Sequence, residues 1–224
     1  MKLPLSSRLL ACAGFVRPGD RVADVGCDHG YLSIHLLTGG IAASVIASDV
    51  AEGPLQSALR NAEKYGVKEK ISFYLSDGVK SIPRDFDTLI CAGMGADTMM
   101  SILDAAPWLK DDRYRMILQC QSKRPELRKY LYAQGYAILR ETLAQDGKFI
   151  YPIMEVTYRP SAPMKAADYF VTPALRESGS PLLGAFLDRV IYGVNKTVEG
   201  LAPTGGEKYE EYKQLLTELK AMKQ

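Results

Sequence analysis

Thiols and imidazoles are scarce in this chain of 224 residues, which holds four cysteines and two histidines. Cys12, Cys27, Cys91 and Cys120 are far apart and no C-x-x-C pair occurs. That removes the usual zinc spacing and leaves buried, reduced thiols as the expectation. His29 and His35 are too few for a histidine-rich metal cluster, and no Ser-His-Asp triad is supported. No metal is expected. Apolar runs long enough to span a membrane are also missing. The opening Met1-Lys2-Leu3-Pro4-Leu5-Ser6 lacks the apolar core of a secretory leader. The expectation is a cytoplasmic protein with no membrane contact and no obligatory protein partner. Repeats and low-complexity tracts are absent. A formal charge of +2 neither requires nor excludes a nucleic-acid partner, because a local patch suffices to bind phosphates.

Hydrophobic residues make up 47% of the chain, enough for the core of one good-sized domain plus a small appendage. The rest is organised around Arg21-Val22-Ala23-Asp24-Val25-Gly26-Cys27-Asp28-His29-Gly30-Tyr31-Leu32. A short apolar run stops at Gly26 and feeds a helix-like segment, Tyr31–Leu37. This is the nucleotide-binding corner of a doubly wound α/β sheet. Gly26 permits close approach of a ligand, and the next helix offers free N–H groups. A dinucleotide fingerprint would place glycines at positions 28 and 31, where Asp28 and Tyr31 stand. A pyrophosphate would meet the Asp28 carboxylate. S-adenosylmethionine, with a sulfonium, an ammonium and no phosphate, suits Asp24 and Asp28 instead.

Along the chain, strands are expected at Arg21–Val25, Ala43–Ser48, Ile71–Leu75, Phe86–Cys91 and Arg115–Gln121. Helices fall between them, at Glu52–Tyr65, Asp97–Ala105 and Pro125–Gln134, after a first helix from Ser6 or Ser7 to about Phe15. Strands alternating with helices build a parallel sheet. Tyr136–Leu143 and Phe149–Tyr158 flank Gln145-Asp146-Gly147-Lys148, a hairpin signal that adds an antiparallel strand. This arrangement resembles class I methyltransferases, whose Rossmann-like sheet closes with an antiparallel last strand. Arg159-Pro160-Ser161-Ala162-Pro163 reads as a linker. Beyond it, apolar residues from Leu182 to Leu201 and from Tyr209 to Met222 recur at spacings of three and four, with Pro203-Thr204-Gly205-Gly206 between. That pattern predicts an α-helical coiled-coil hairpin. The expected domains are 1–160 and 161–224.

Ligands of such sheets sit beyond the carboxyl ends of the strands. Four of those ends carry acids or glycines. Asp24, Gly26 and Asp28 surround the first. Asp49 ends the second, where an acid binds ribose hydroxyls. Asp77 and Gly78 follow the third, where a carboxylate accepts from an adenine amino group. Gly93 and Met94 follow the fourth, where backbone lines a transfer site. Each alone is a turn or cap residue; together they point to a nucleoside-type cofactor. His29 either bonds the ligand or fixes the turn. The stretch from Arg113 to Lys129 is the densest basic run, read as a solvated face or a phosphate contact.

The chain resembles the bacterial tRNA (adenine(22)-N1)-methyltransferases. The resemblance rests on Leu5-Ser6-Ser7-Arg8-Leu9, Ala23-Asp24-Val25-Gly26-Cys27-Asp28-His29-Gly30-Tyr31-Leu32, Ala47-Ser48-Asp49-Val50, Ser76-Asp77-Gly78 and Ala92-Gly93-Met94-Gly95. Ala96 departs from it, standing where a further glycine commonly follows. The resemblance implies methyl transfer from S-adenosylmethionine to N1 of adenine in the tRNA D-arm, giving S-adenosylhomocysteine. It implies a C-terminal coiled-coil domain that touches tRNA. Adenine N1 already carries a lone pair, so alignment and desolvation carry much of the rate. Asp28 is the candidate to stabilise the cationic product, or else binds the cofactor ammonium. The target base is expected to leave its stack. Other readings share these motifs: a methyltransferase of another RNA, a protein or a small molecule, and a tRNA-binding relative without activity. An NAD-dependent oxidoreductase is the competing class.

Overall fold

The computed structural model describes residues 3–223; the leader reading for Met1 and Lys2 falls outside them. The chain divides into two compact units between Ser161 and Ala162.

In the first unit, helix α1 (Ser7–Ala13) precedes β1 (Arg21–Val25), α2 (Tyr31–Thr38), β2 (Ser44–Asp49), α3 (Glu52–Lys64) and β3 (Ile71–Leu75). Then come β4 (Thr88–Met94), α4 (Ala96–Asp104), β5 (Arg115–Cys120), α5 (Arg124–Ala133), β6 (Tyr136–Asp146) and β7 (Phe149–Tyr158). One seven-stranded sheet has the order β3-β2-β1-β4-β5-β7-β6. The first five strands run parallel, and β7 is antiparallel to both neighbours. This is a Rossmann-like α/β sheet with an antiparallel strand. Parallel strands covered on both faces read as continuous apolar runs; all six residues of β5 are buried. One core cluster packs Met99, Leu103, Leu127 and Met154. The other packs Cys12, Ile34, Ala58, Ile117 and Ile153.

Three expectations change. The fourth strand does not stop at Cys91 but runs to Met94, with a bulge between Ala92 and Met94 in its pairing with β5. The extra residue is Gly93, at φ +82°. The tight turn of the last hairpin is Gly147-Lys148, since Asp146 pairs with Phe149. Gly147 alone has positive φ there, the pattern of a type II′ turn. Finally, Arg115 and Arg128 are not part of a solvated face. Arg128 pairs with Glu141 and Arg115 with Glu155, all four side chains being buried. The hairpin β6–β7 brings those glutamates to the sheet, which periodicity within a basic run does not foretell. All four cysteines are buried and unpaired with one another. Burial pushes the Cys12 and Cys91 thiols up to about 12, so they remain protonated.

The second unit holds α6 (Pro173–Arg176), α7 (Leu183–Leu201) and α8 (Glu207–Ala221). Phe186, Leu187 and Val194 of α7 and Leu215, Leu216 and Leu219 of α8 are buried. A 3₁₀ turn at Ala166–Tyr169 and the short α6 are too brief to leave a helical period in the sequence. Asp168 and Arg176 join them at 2.8 Å.

Gly30 shows how tightly the corner is built. It has φ +72°, and a Cβ there would lie 2.9 Å from Ala58 Cβ on α3. Gly30→Ala carries a left-handed penalty of about 1–2 kcal/mol and an overpacking penalty of about 1–3 kcal/mol. Urea denaturation should show a loss of roughly 2–5 kcal/mol, and adding Ala58→Gly should restore part of it. A loss under about 1 kcal/mol would refute the close approach.

Candidate active site

β1 has β2 on one side and β4 on the other, so the chain's winding reverses direction there. Such a switch point leaves a crevice at the carboxyl edge. The register pairs Val25 with Cys91, which brings Gly26–Asp28 alongside Ala92–Met94. A cavity of about 330 Å³ opens between them. Of the sequence-predicted residues, Asp24, Gly26, Asp28, His29, Gly93 and Met94 line it. Asp49 is joined to that wall through the Asp28 backbone. Asp77 and Gly78 do not line it. Asp77 is exposed and paired with Lys80. Gly78 lies beneath α4, where a Cβ would come within 2.8 Å of Ile102 Cγ1.

The turn after β1 is set by hydrogen bonds to β2. The Ser48 carbonyl accepts from Gly26 N–H (2.8 Å) and Cys27 N–H (2.9 Å). The Asp49 carboxylate accepts from Asp28 N–H at 3.1 Å and from Ala51 N–H at 3.0 Å. Asp28 is thereby held at φ +50°, a left-handed conformation that aspartate tolerates better than most residues. Its side chain is exposed and stands 3.7 Å from His29 Nε2. The His29 carbonyl accepts from Asn61 Nδ2 at 2.9 Å, which ties the turn to α3. Gly26 has φ +74°, and a Cβ there would strike Met94 Cε.

Asp24 is 3% exposed and accepts from Ser33 Oγ at 2.6 Å. Burial pushes its pKa up to about 6; the Ser33 bond works against the shift and the nearby Asp49 charge adds to it. A desolvated carboxylate of this kind is favoured in its charged form by a cation.

Sequence reasoning assigned no role to Arg8 or Gln119. Arg8 lines the cavity and its Nη1 donates to Gln119 Oε1 at 3.0 Å. The same oxygen accepts from Gly93 N–H at 3.1 Å, replacing the ladder bond displaced by the bulge. Gln119 Nε2 is buried without a partner among the described residues. The available signal was a glutamine inside the apolar run of β5. Val50, beside Asp49, is 72% exposed, an apolar surface at the end of β2.

The cavity thus carries carboxylates along one wall and the Arg8 guanidinium beside Gly93. Those donors and acceptors fit an amino-acid ligand with an additional cation, as S-adenosylmethionine is, and repel a pyrophosphate. Among the described residues no group of acids, cysteines and histidines has metal-site geometry. No helix among them is long and apolar enough to cross a membrane.

A model of the methyltransferase domain matches residues 5–154. This chain belongs to that methyltransferase family. The Bacillus subtilis tRNA (adenine(22)-N(1))-methyltransferase is 35% identical over 149 residues, covering 66% of this chain and 63% of that protein. A Mycoplasma genitalium protein described as a tRNA methyltransferase is 32% identical over 60% of this chain and 61% of its own length. The chain therefore aligns with a little over three-fifths of the length of these curated relatives. Solved structures match more fully. That of a candidate tRNA (m1A22) methyltransferase from Streptococcus pneumoniae, bound to S-adenosyl-L-methionine, is 30% identical. It covers 97% of this chain and 99% of its own, with a TM-score of 0.81. The resemblance read from the motifs is borne out by these relatives.

The buried carboxyl sets a pH test. Because folding raises the Asp24 pKa, its penalty is absent below about pH 4 and grows as pH rises through about 6. Asp24→Asn escapes that penalty. The stability of the variant relative to the parent should therefore rise by about 1 kcal/mol between pH 5 and 7.5, read by urea denaturation. A difference that does not move with pH would show that Asp24 does not titrate in this window.

Proposed function

We propose that this protein transfers the methyl group of S-adenosylmethionine to N1 of adenine 22 in the D-arm of tRNA. The observation that carries this reading is the acid-lined cavity at the switch point of a methyltransferase sheet. The tRNA-modifying relatives support the choice of substrate. When bound, S-adenosylmethionine supplies an electrophilic methyl group and leaves as S-adenosylhomocysteine.

The chain's own residues divide the work. Asp49 keeps unused lone pairs on both oxygens for ribose hydroxyls, since each oxygen accepts one backbone N–H. Asp24 faces the ligand's cations, with Gly26 and His29 shaping the turn. Arg8 meets the carboxylate end. Val50 offers an apolar face to adenine. Asp77 and Gly78, which follow the strand beside Asp49, accept from its amino group. Gly93 and Met94 bound the transfer point. Adenine N1 needs no strong base, and the exposed Asp28 carboxylate stabilises the cationic product until N6 loses its proton. Residues 1–160 serve the chemistry. Residues 161–224, with α7 and α8 as an antiparallel coiled coil, serve tRNA binding. Arg189, Tyr192 and Lys196, exposed along one side of α7, are suited to an RNA backbone. The setting is the cytoplasm, with no membrane and no obligatory protein partner.

Labelled-methyl transfer to unmodified tRNA, followed by mapping of the modified base, tests the assignment. Label at adenine 22 is expected. Label confined to protein or small amines would sink it.

Asp28→Asn separates the two roles of that carboxylate. The turnover rate should fall roughly 10- to 100-fold, the scale of one hydrogen bond to a charged group. Cofactor affinity should hold by calorimetry. Lost affinity with unchanged turnover would assign Asp28 to the ammonium alone.

A further inference from the structure

The β6–β7 hairpin extends past the carboxyl edge of the sheet on the side where the cavity opens. β5 and β7 run antiparallel with Leu118 opposite Met154. β5 ends at Cys120, so residues 149–151 lie beyond its end. Arg124 Nη1 donates to the Ile150 carbonyl at 3.4 Å, which anchors the hairpin to the start of α5.

Two aromatic rings stand on this extension. Phe149 is 53% exposed, one of few large apolar side chains so displayed. Its ring centroid is 6.0 Å from that of Tyr151, at an interplanar angle of 41°. Lys148 Nζ lies 5.4 Å from the Phe149 centroid. Strand alternation puts Phe149 and Tyr151 on the same face as Ile153, and Tyr151 is paired with Ala144. Ile153 and Ala144 belong to the cluster that contains Ile117 and the α1 residue Cys12. By the same alternation Gln119 and Gln121 share that face with Ile117. The rings therefore stand one strand away from the Arg8–Gln119–Gly93 contacts. Gln121, just past the end of β5, stands on the cavity side: its Nε2 would lie 3.7 Å from a Cβ on Gly93.

We propose that Phe149 and Tyr151 form a stacking shelf for an unpaired RNA nucleotide next to the adenine being methylated. Gln121 contacts its base edge, and Lys148 meets its phosphate. This rests on the reading of the enzyme as a tRNA methyltransferase. Stacking carries the interaction. The local charge is mixed, because Asp146 is paired with Phe149 across the hairpin and Lys123 is held by Asp97 at 2.7 Å. A flat aromatic surface takes any base, and such a contact keeps a flanking nucleotide from restacking while its neighbour is in the cavity. The rim position explains why an otherwise well-buried strand begins with an exposed phenylalanine.

The test uses the full chain and unmodified tRNA, with Phe149→Leu alone and Phe149→Leu/Tyr151→Leu together. The double variant should bind tRNA roughly 5- to 150-fold more weakly, the range for losing base–aromatic stacking. Its kcat/KM for tRNA should fall in parallel, while S-adenosylmethionine affinity and Tm hold. Phe149→Trp should remain within threefold of the parent. Binding to a fully paired RNA duplex should be unaffected. The shelf is overturned if both leucine variants bind and methylate tRNA within twofold of the parent. It is equally overturned if duplex and tRNA binding fall together. If the parent itself methylates no tRNA, the enzymatic reading fails; the shelf then stands or falls on the tRNA-binding ratio alone.

Discussion

The corner after β1 depends on three backbone N–H groups that donate to acceptors on β2. Ser48 takes Gly26 and Cys27 through its carbonyl, and Asp49 takes Asp28 through its carboxylate. A turn that leaves a buried strand has donors it must satisfy. Here satisfying them also decides the shape of the cavity. Asp28 is held left-handed, Gly26 is held where no side chain fits beneath Met94, and the Asp49 carboxylate is fixed at the rim. One set of bonds thus orders the turn and arranges the polar groups of the crevice. Asp49 stands at the meeting point of structure and proposed binding, with one lone pair of each oxygen committed to the backbone and the others open.

The opposite wall is arranged by a different device. The bulge at Gly93 breaks the regular ladder between β4 and β5, and the Gln119 side chain replaces the lost acceptor. Bulges occur beside active sites because they re-aim a short stretch of strand. In this chain the re-aimed stretch is Ala92–Met94, and the same glutamine oxygen secures Arg8 from α1. The cation of the cavity is consequently positioned by the element that shapes its wall. Asp24 lies deeper, where desolvation raises its pKa and leaves it receptive to positive charge. Acids and a guanidinium separated across one crevice suit a ligand whose own charges are separated.

Much of the fold was legible because its cause is local. β1 and β5 are short apolar runs bounded by turn residues, and helical spacing marks α3, α7 and α8. The acids at successive strand ends declared a ligand edge before any geometry was known. Arg128 and Glu141 were not legible as a pair. They are thirteen residues apart on a helix and a strand, and their joint burial exists only once the hairpin closes on the sheet. Nor was Arg8 legible as a cavity residue, since α1 precedes the motif and reaches the cavity by packing. Asp77 and Gly78 carry more than one constraint. Their sequence context matches a strand-end site, and packing adds its own demand: α4 leaves no room for a Cβ at Gly78, while Asp77 sits at the surface beside Lys80.

By itself, then, the sequence determined the order of strands and helices, the edge of the sheet at which a ligand is expected and the acids that stand there. These follow from periodicity, turn chemistry and residue type, which act over a few neighbours. Tertiary structure decided which of those residues share one cavity, how far Asp24 is desolvated, where the β4 bulge falls and which arginines lie inside. These depend on contacts between segments distant in the chain, as with Arg8 and Gln119, which are 111 residues apart. No local signal carries such a contact, because its energy exists only when the two segments are packed together.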